Sequence, residues 1–386
     1  MSNVDRQFEL LVACTREHDW SAAPDGIERL IAGHDTRELG RAAADHGVTN
    51  LVYLTLRSLP GLDEELLSLL TTVYHLNLTH HMKVMGDVIR LGEALRRHEI
   101  PFMVVKGPVM AEVVYPRNDL RAYDDVDLVV PRRLFADAIS TLIEADCDVL
   151  DRNWRRIRRE MRGQVHMTAP YGTAVDVHWH LLNRGSVRSA FRVDMDGLFE
   201  RARRVSLDGP QVLTLDPIDT LLHVALHAGL SGGAKLSWLK DIERAAAAEP
   251  IEWEELIRRA RAWGAAEVIA VSFRRSRALL DAPIPREVIE TLSGSRVWQT
   301  LVRGSERLSS PDRPPNRPTL ARAVTRATRS GLAPSAMALV ARFGNDVADQ
   351  VKRLTGRSSA ILSTAEGDES DRLAYFEAVA QSRRAA

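Results

Sequence analysis

Apolar residues in the first quarter of the chain recur at intervals of three and four, which predicts amphipathic helices over about residues 5–97. Pro60-Gly61 interrupts this pattern, and residues 62–97 then form one long amphipathic stretch. Pro101 disfavours helix in the residue before it, so the helical region should end there. The sequence therefore predicts an amino-terminal helical region over residues 1–98.

Between residues 99 and 210 the pattern changes to short apolar runs bounded by proline and glycine, which are typical of strands. Pro170-Tyr171-Gly172 connects the last two runs and is typical of a hairpin. The strands are predicted at residues 102–105, 125–130, 147–150, 164–169 and 173–181, with helices at 108–115 and 134–145. We expect a small α+β core with a mixed sheet.

Helical spacing returns after Pro217, where Asp216 is a candidate N-cap. Helices are predicted at residues 218–230, 236–248, 253–262 and 265–280, which places a helical domain over residues 211–308. A polar, proline-rich connector follows at 309–318. The segment 309–386 is predicted to combine this linker with a helical, partly disordered tail, with helical potential over 372–380.

Composition narrows the classes of function. The chain has 386 residues, a formal net charge of zero and 45% hydrophobic residues, so no global field steers it towards nucleic acid or an acidic membrane. Two cysteines, Cys14 and Cys147, form neither a disulfide framework nor a cysteine-rich zinc site. The first residues do not show the basic and apolar regions of a secretory signal peptide, and no apolar run reaches the roughly 20 residues of a membrane span. We expect a cytoplasmic protein.

Two carboxylates on the predicted strand 125–130 are the strongest chemical signal. Because side chains alternate along a strand, Asp125, Asp127 and Val129 share one face, whereas Val126, Leu128 and Val130 share the other. Like charges this close repel unless a cation lies between them, and oxygen ligands suit magnesium. Asp176 and His178 share a face of a later strand, so pairing of the two strands would bring Asp176 to the same centre. Asp124 is expected to be an exposed neighbour.

A glycine turn precedes the acidic strand. Gly107 lies between a predicted strand and a predicted helix, where its backbone can approach a phosphate closely. Lys106 and Arg121 could supply positive charge to that phosphate, or each could form a simple salt bridge to the acidic pair. Both alternatives stay open for these two residues.

Several other clusters have two interpretations each. His166, His178 and His180 could bind zinc, but hydrogen-bonding or orienting roles are favoured because no cysteine joins them. His223 and His227 lie at i and i+4 on one helix, where packed, hydrogen-bonded histidines are favoured over a metal site. The arginine-rich run at residues 152–162 could bind a polyanion, but a solvated face balanced by acidic residues is favoured.

The order of these motifs resembles the uncharacterised bacterial nucleotidyltransferases of the polymerase-beta-like superfamily, over roughly residues 5–290. The resemblance is carried by Val105-Lys106-Gly107, Tyr115-Pro116, the segment from Arg121 through Val130, His166, the segment 175–179, the segment 222–227 and the segment 236–242. It implies a nucleotidyltransferase core with a small mixed sheet, flanked by amino-terminal and carboxy-terminal helical regions.

The resemblance also implies roles for individual residues. Asp125 and Asp127 match the metal-binding pair, and Asp176 matches the third carboxylate, so these three are the predicted catalytic and metal residues. The cofactor would be Mg2+, with two ions and with Mn2+ as an alternative. The predicted nucleotide-binding residues are Lys106, Gly107, Arg121 and His178. Pro108 stands where the superfamily usually has serine or glycine, and it offers the phosphate neither an N–H nor a hydroxyl.

These expectations define a leading function and its alternatives. The leading function is transfer of NMP from an NTP, with ATP favoured, to an unidentified acceptor with release of pyrophosphate. A small molecule or a peptide is the favoured acceptor; nucleic acid is an unlikely but open partner, and no membrane is expected. The alternatives are a catalytically degenerate nucleotidyltransferase-fold protein that serves as a binding or scaffold module, and a toxin-like modifier of tRNA or protein.

Overall fold

A computed structural model describes residues 3–16, 19–20, 23–33, 35–308, 319–341 and 369–382. Its amino-terminal part is helical, as predicted. Asp35 and Asp63 cap two of these helices with hydrogen bonds to backbone N–H groups, which satisfies donors that a helix start leaves unpaired. The five helices are α1 (Asn3–Thr15), α2 (Ile27–Ile31), α3 (Thr36–Asp45), α4 (Thr49–Leu56) and α5 (Glu64–Arg97).

The described part of the chain forms one mixed sheet of seven strands in the order β3-β4-β5-β2-β1-β7-β6. The pairs β2·β5 and β1·β7 are parallel, and the other neighbours are antiparallel. The strands are β1 (Met103–Val105), β2 (Asp125–Val129), β3 (Asp148–Val149), β4 (Gln164–Thr168), β5 (Ala174–His178), β6 (Arg203–Ser206) and β7 (Gln211–Thr214). The predicted α+β class is confirmed.

Short helices connect these strands. A helical turn α6 (Gly107–Val109) continues directly into a π-helical turn over Met110–Val114, and 3-10 turns occur at Asn118–Leu120 and Arg132–Leu134. The remaining helices of the core are α7 (Phe135–Glu144), α8 (Trp154–Glu160), α9 (Gly185–Arg188) and α10 (Met195–Glu200).

The carboxy-terminal part is again helical, with helices that start close to the predicted positions. These are α11 (Pro217–Leu230), α12 (Leu236–Ala247), α13 (Trp253–Ala262), α14 (Ala266–Leu280), α15 (Arg286–Leu292), α16 (Arg296–Leu308), α17 (Leu320–Ala327), α18 (residues 332–341) and α19 (Glu369–Gln381). Within the described ranges, no helix is both long and apolar enough to cross a membrane. The predicted connector at 309–318 lies outside the described residues.

The two faces of the sheet are buried in different apolar cores. Val126, Leu128 and Val177 pack on one side with α7, α8, α19 and the carboxy-terminal half of α5. Met103 and Val129 pack on the other side with the amino-terminal helices and with α11 to α15. The alternation predicted for β2 is therefore confirmed, and the acidic residues of this strand share a face with Val129 rather than with Val126.

The hairpin of β6 and β7 was not predicted from the sequence. Each strand is four residues long and contributes only one or two apolar side chains, which is too few for a clear period-two pattern. Pairing of β7 with β1, at Met103 and Leu213, joins the hairpin to the sheet. The sheet therefore continues to Thr214, past the expected end of the core at residue 210.

The last described helix packs back on the core. The predicted helical segment 372–380 lies within α19, whose Tyr375 is fully buried. The Tyr375 hydroxyl donates a hydrogen bond to the carbonyl oxygen of Arg162 (2.6 Å) and accepts one from Trp179 Nε1 (3.1 Å). Arg158 and Asp371 form an ion pair at 2.9 Å. The tail thus contributes both apolar and polar contacts to the core.

We expect Tyr375→Ala to lower the free energy of unfolding by about 3–5 kcal/mol, because it leaves a cavity and removes one of the two side-chain hydrogen bonds to the Arg162 carbonyl. Urea unfolding followed by circular dichroism measures this loss. Leu373→Ala is the matched control on the same helix, since Leu373 is 56% exposed and should shift stability by less than about 0.5 kcal/mol. Equal unfolding midpoints for the two variants would contradict the docking of α19.

Candidate active site

The register between β2 and β5 brings carboxylates from separate strands together. In this parallel pair Asp127 lies opposite Asp176, and Val129 lies opposite His178. Because side chains alternate, Asp125, Asp127, Asp176 and His178 all project from the same face of the sheet. The strand pairing expected from the sequence places Asp176 beside Asp127, whereas the metal-binding and catalytic roles of these residues stay a prediction.

Asp127 is buried between two partners. Lys106 follows β1, in which Val105 lies opposite Asp127, so its Nζ atom reaches Asp127 Oδ2 at 2.9 Å. His178 Nε2 hydrogen-bonds to Asp127 Oδ1 at 2.7 Å. Burial by itself raises the pKa of Asp127, but the charge of Lys106 and the contact with His178 outweigh it and hold this pKa well below its usual range. Asp127 is therefore a stable anion.

Asp176 is held by two residues of the neighbouring strand β4. Gln164 Nε2 donates a hydrogen bond to Asp176 Oδ2 at 2.6 Å, and His166 Nδ1 makes a short contact with Asp176 Oδ1. The hydrogen bond with Asp176, partly offset by burial, raises the pKa of His166. These contacts fix the direction in which Asp176 points. The resemblance included His166, but the position of Gln164 beside Asp176 becomes visible only through the strand pairing.

Asp125 lies at the edge of the acidic cluster and is partly exposed. Burial, followed by the negative charge of Asp127, raises the pKa of Asp125 to about 6, and Lys106 offsets only part of this effect. Asp125 and Asp127 are therefore the pair of like charges that the sequence predicted. A cation that lowered their repulsion would bind here with a favourable electrostatic energy.

The cluster fits a divalent metal ion. Ligand atoms of Asp127, Asp176 and His178 lie within 4.8 Å of one another. Among the described residues, these three form a group of acidic and histidine side chains that is close enough to share an ion. Carboxylate oxygens suit Mg2+ or Mn2+, and an imidazole suits softer divalent metals. The group contains one histidine and omits His166 and His180, so it does not match the predicted three-histidine zinc alternative.

Gly107 turns the chain beside the acidic strand. Its φ of +26° strains any L side chain, and a Cβ atom here would lie 2.9 Å from the carbonyl oxygen of Asp125. Arg121 Nη1 donates a hydrogen bond to the Gly107 carbonyl at 3.0 Å. Glycine is therefore required for the close approach of this turn to β2.

Arg121 has a partner that the sequence analysis did not identify. Its guanidinium forms a bidentate ion pair with Asp241, at 2.8 and 2.9 Å, and Tyr115 donates a third hydrogen bond to the same carboxylate at 2.9 Å. Arg121 therefore makes no salt bridge to Asp125 or Asp127. Its other suggested role, a phosphate contact, stays a prediction.

A cavity of about 350 Å3 opens beside the acidic pair. The sheet, the amino-terminal helices, α11 and α12 together enclose it. Lys235 Nζ lies 5.7 Å from the centre of the Trp238 ring, and both side chains line the cavity. Lys106, Gly107, Asp125 and Asp127 line it as well. The sequence analysis did not identify Lys235.

The other clusters singled out in the sequence adopt the favoured alternatives. Burial, followed by the charge of Lys106, lowers the pKa of His223 well below its usual value and that of His227 to about 3, so both are neutral, packed residues. Within the arginine-rich run, Arg156 pairs with Glu160 at 2.7 Å. This run is partly balanced by acidic neighbours, in agreement with a solvated face.

The raised pKa of Asp125 predicts a pH-dependent cost to stability in metal-free protein. A carboxyl whose folded pKa is about 6, against an ordinary value of 3.8, loses stability as pH rises from about 4 to about 6. Asp125→Asn removes this cost, so its free energy of unfolding should exceed that of the wild type by about 1–3 kcal/mol near pH 7 and converge with it near pH 4. Urea unfolding in a buffer with a chelator measures the free energy of unfolding of the variant and of the wild type at each pH.

Asp124→Asn is the matched control for this comparison, because Asp124 is exposed and immediately precedes Asp125 at the start of β2. Its unfolding curve should follow the wild type at every pH. A constant offset between Asp125→Asn and the wild type, independent of pH, would contradict a raised pKa at Asp125.

No curated protein matches the chain. A family model described as an uncharacterised nucleotidyltransferase matches residues 32–281, from the end of α2 to the residue after α14. The matched region contains all seven strands of the described sheet, the acidic cluster and the residues that line the cavity beside it. Because this match covers well over half of the chain, the protein belongs to that family of nucleotidyltransferases.

Proposed function

We propose that the protein transfers NMP from an NTP, with ATP favoured, to a small-molecule or peptide acceptor and releases pyrophosphate. The observation that carries this proposal is the position of Asp125 and Asp127 at the wall of a cavity, with Asp176 paired directly opposite Asp127. Membership of a nucleotidyltransferase family supports the general class of reaction.

We assign Asp125, Asp127 and Asp176 to the metal ions. Ligand atoms of Asp127, Asp176 and His178 lie close enough together to share one ion, and Asp125 lies at the edge of this group. His178 would be a further ligand or the hydrogen-bonding partner of Asp127. Mg2+, when bound, would neutralise phosphate charge and acidify the acceptor hydroxyl. In the reaction the acceptor oxygen forms a bond to the α-phosphorus while the bond to pyrophosphate breaks. Asp125 lies at the open edge of the cluster, so it is the residue we assign to take the acceptor proton.

The cavity suggests how the nucleotide lies. Lys106 is within 2.9 Å of Asp127, from where its flexible side chain can turn to a phosphate. Gly107 keeps the turn close to β2, and Arg121 fixes this turn through the Gly107 carbonyl. Lys235 is the positive charge at the α12 end of the cavity, and the neighbouring Trp238 ring offers a stacking surface for a base. We assign Lys235 to the triphosphate.

A second function is favoured by one specific observation. Both oxygens of Asp127 and both oxygens of Asp176 already have protein partners, and Lys106 holds the side of Asp127 that a cation would use. This arrangement suits a catalytically silent module that binds nucleotides without transfer. The two functions differ in pyrophosphate release.

We expect Asp127→Asn and Asp125→Asn each to reduce pyrophosphate release by about a thousandfold or more, because each removes a negative charge from the metal site. The measurement is pyrophosphate release from each NTP with Mg2+, in the presence of a metabolite and peptide extract. Asp124→Asn is the charge-matched control and should retain activity within about fivefold, since Asp124 lines the same cavity but is exposed and outside the acidic cluster. Mass spectrometry then identifies the acceptor that gains NMP, including tRNA or protein if either is modified.

The outcomes separate the two proposed functions. Release that disappears in both variants but persists in Asp124→Asn supports the transferase. Nucleotide binding by the wild type without any release supports the silent module. Equal release by the wild type and by Asp127→Asn would exclude the acidic cluster as the catalytic centre.

Lys235→Ala tests the orientation of the nucleotide. We expect the KM for NTP to rise by about tenfold, with a smaller change in kcat, because Lys235 would contact phosphate oxygens away from the reacting bond. Lys83→Ala, which removes an exposed lysine from α5, is the control and should leave KM unchanged. A fall in kcat with constant KM would contradict a role of Lys235 in binding the triphosphate.

A further inference from the structure

A second, larger cleft lies between α14, α15 and α16. Its volume is about 960 Å3, and it shares no lining residue with the cavity beside the acidic cluster. Arginines from all three helices line it, which makes it a concentration of positive charge on a chain whose formal net charge is zero. These arginines are Arg274, Arg277, Arg286, Arg296 and Arg303.

Three of these arginines have no protein partner. Arg286, Arg296 and Arg303 are exposed, and within the described ranges none forms an ion pair or a side-chain hydrogen bond. The other two are engaged: Arg274 pairs with Glu306 at 2.7 Å, and Arg277 donates a hydrogen bond to a backbone carbonyl. The cleft therefore presents unneutralised guanidinium groups to solvent.

Acidic residues do not balance this charge. The lining contains two of them, Asp281 and Glu290, and Asp281 already pairs with Arg16 at 3.3 Å. Burial lowers the pKa of Arg274, and the charges of Arg275 and Arg303 lower it further, against the opposing effect of Glu306. With five arginines and two acidic residues, the lining has an excess of positive charge that will attract an anion.

Gln299 gives an independent sign of a ligand. It lines the same cleft and is only 8% exposed, and its amide nitrogen is buried with no hydrogen-bond partner in the described part of the chain. An unpaired buried donor costs about 1–3 kcal/mol, and native structures rarely leave one unsatisfied. An acceptor oxygen from a bound molecule would remove this cost.

We propose that this cleft binds a small soluble ligand that carries two or more phosphate groups. Guanidinium forks match phosphate oxygens in geometry as well as charge, and several of them around one cleft suit more than one phosphate. The volume is within the range of small-molecule sites. No aromatic side chain lines the cleft, so it lacks the stacking surfaces that single-stranded nucleic acid uses.

The cleft is separate from the proposed nucleotide site but is connected to it through α14. Ser272 Oγ donates a hydrogen bond to the carbonyl of Ala225 on α11 (2.9 Å), and Ser276 Oγ donates one to Leu239 on α12 (2.8 Å). Arg274 and Arg277 of the same helix line the cleft. Arg286, Arg296 and Arg303 lie beyond residue 281, where the family match ends, whereas Arg274 and Arg277 lie within the matched region.

The test is calorimetric titration of the full chain with inorganic tripolyphosphate in a metal-free buffer that contains a chelator. Without metal, Asp125 and Asp127 repel a polyanion, which keeps the probe out of the proposed nucleotide site. We expect the triple variant Arg286→Ala/Arg296→Ala/Arg303→Ala to weaken binding by about thirtyfold or more. Gln299→Leu should weaken it by about threefold to tenfold, because it removes a donor but no charge.

A matched control exists on α8 and the residue before its cap. Arg152, Arg155 and Arg159 are also exposed, so Arg152→Ala/Arg155→Ala/Arg159→Ala removes the same charge from another surface. This control should bind tripolyphosphate as the wild type does, and the melting temperatures of all variants should agree. If the two triple variants weakened tripolyphosphate binding equally, the effect would be a nonspecific electrostatic attraction, and the proposal would be overturned.

Three further results would also overturn the proposal. The first is binding that survives in the Arg286, Arg296 and Arg303 variant but is lost in Lys235→Ala, which would place the probe in the nucleotide cavity. The second is tighter binding of a random RNA duplex than of tripolyphosphate, lost in the same triple variant, which would assign the cleft to a nucleic-acid backbone. The third is absence of tripolyphosphate binding by the wild type.

Discussion

The parallel register between β2 and β5 is the constraint on which the candidate active site depends. It sets Asp127 directly opposite Asp176 and leaves Asp125 on the same face. A shift of one residue in the register would move the carboxylates of one strand to the opposite face, into the apolar core that contains Val126 and Val177. Burial of that core therefore fixes the register, and the fixed register forces like charges together. The register therefore both stabilises the sheet and causes the repulsion between the carboxylates at the site.

The protein compensates for this repulsion unequally. Asp127 has Lys106 and His178, and Asp176 has Gln164 and His166, whereas Asp125 has a pKa raised to about 6. Two of the three carboxylates are thus held rigidly as acceptors, and the third carries most of the unrelieved electrostatic cost. Such an arrangement stores free energy that a bound cation can release. A metal bound at Asp127 would have to compete with Lys106, and in the proposed function the displaced Lys106 would turn to a phosphate.

Local periodicity was sufficient to predict the parts of the fold that have a strong apolar pattern. The alternation in β2 and the helical spacing of α5 and α11 each identify the buried face within one segment. The ion pair of Arg121 with Asp241 joins residues 120 positions apart, and no local pattern contains that information. Lys235 enters the cavity only because α12 packs beside the sheet. The hairpin of β6 and β7 carries too few apolar side chains to be visible before pairing with β1.

Net charge was the least informative property of the sequence, and the structure explains why. A formal charge of zero argues against a field around the whole molecule. Within the described residues, however, three unpaired arginines from α15 and α16 share one cleft, while Asp125 and Asp127 line a separate cavity. Opposite charges on separate surfaces cancel in the sum but not in the local potential, because screening confines each to about 10 Å. Net charge therefore carries no information on whether such a chain has one charged site, two of opposite sign, or none.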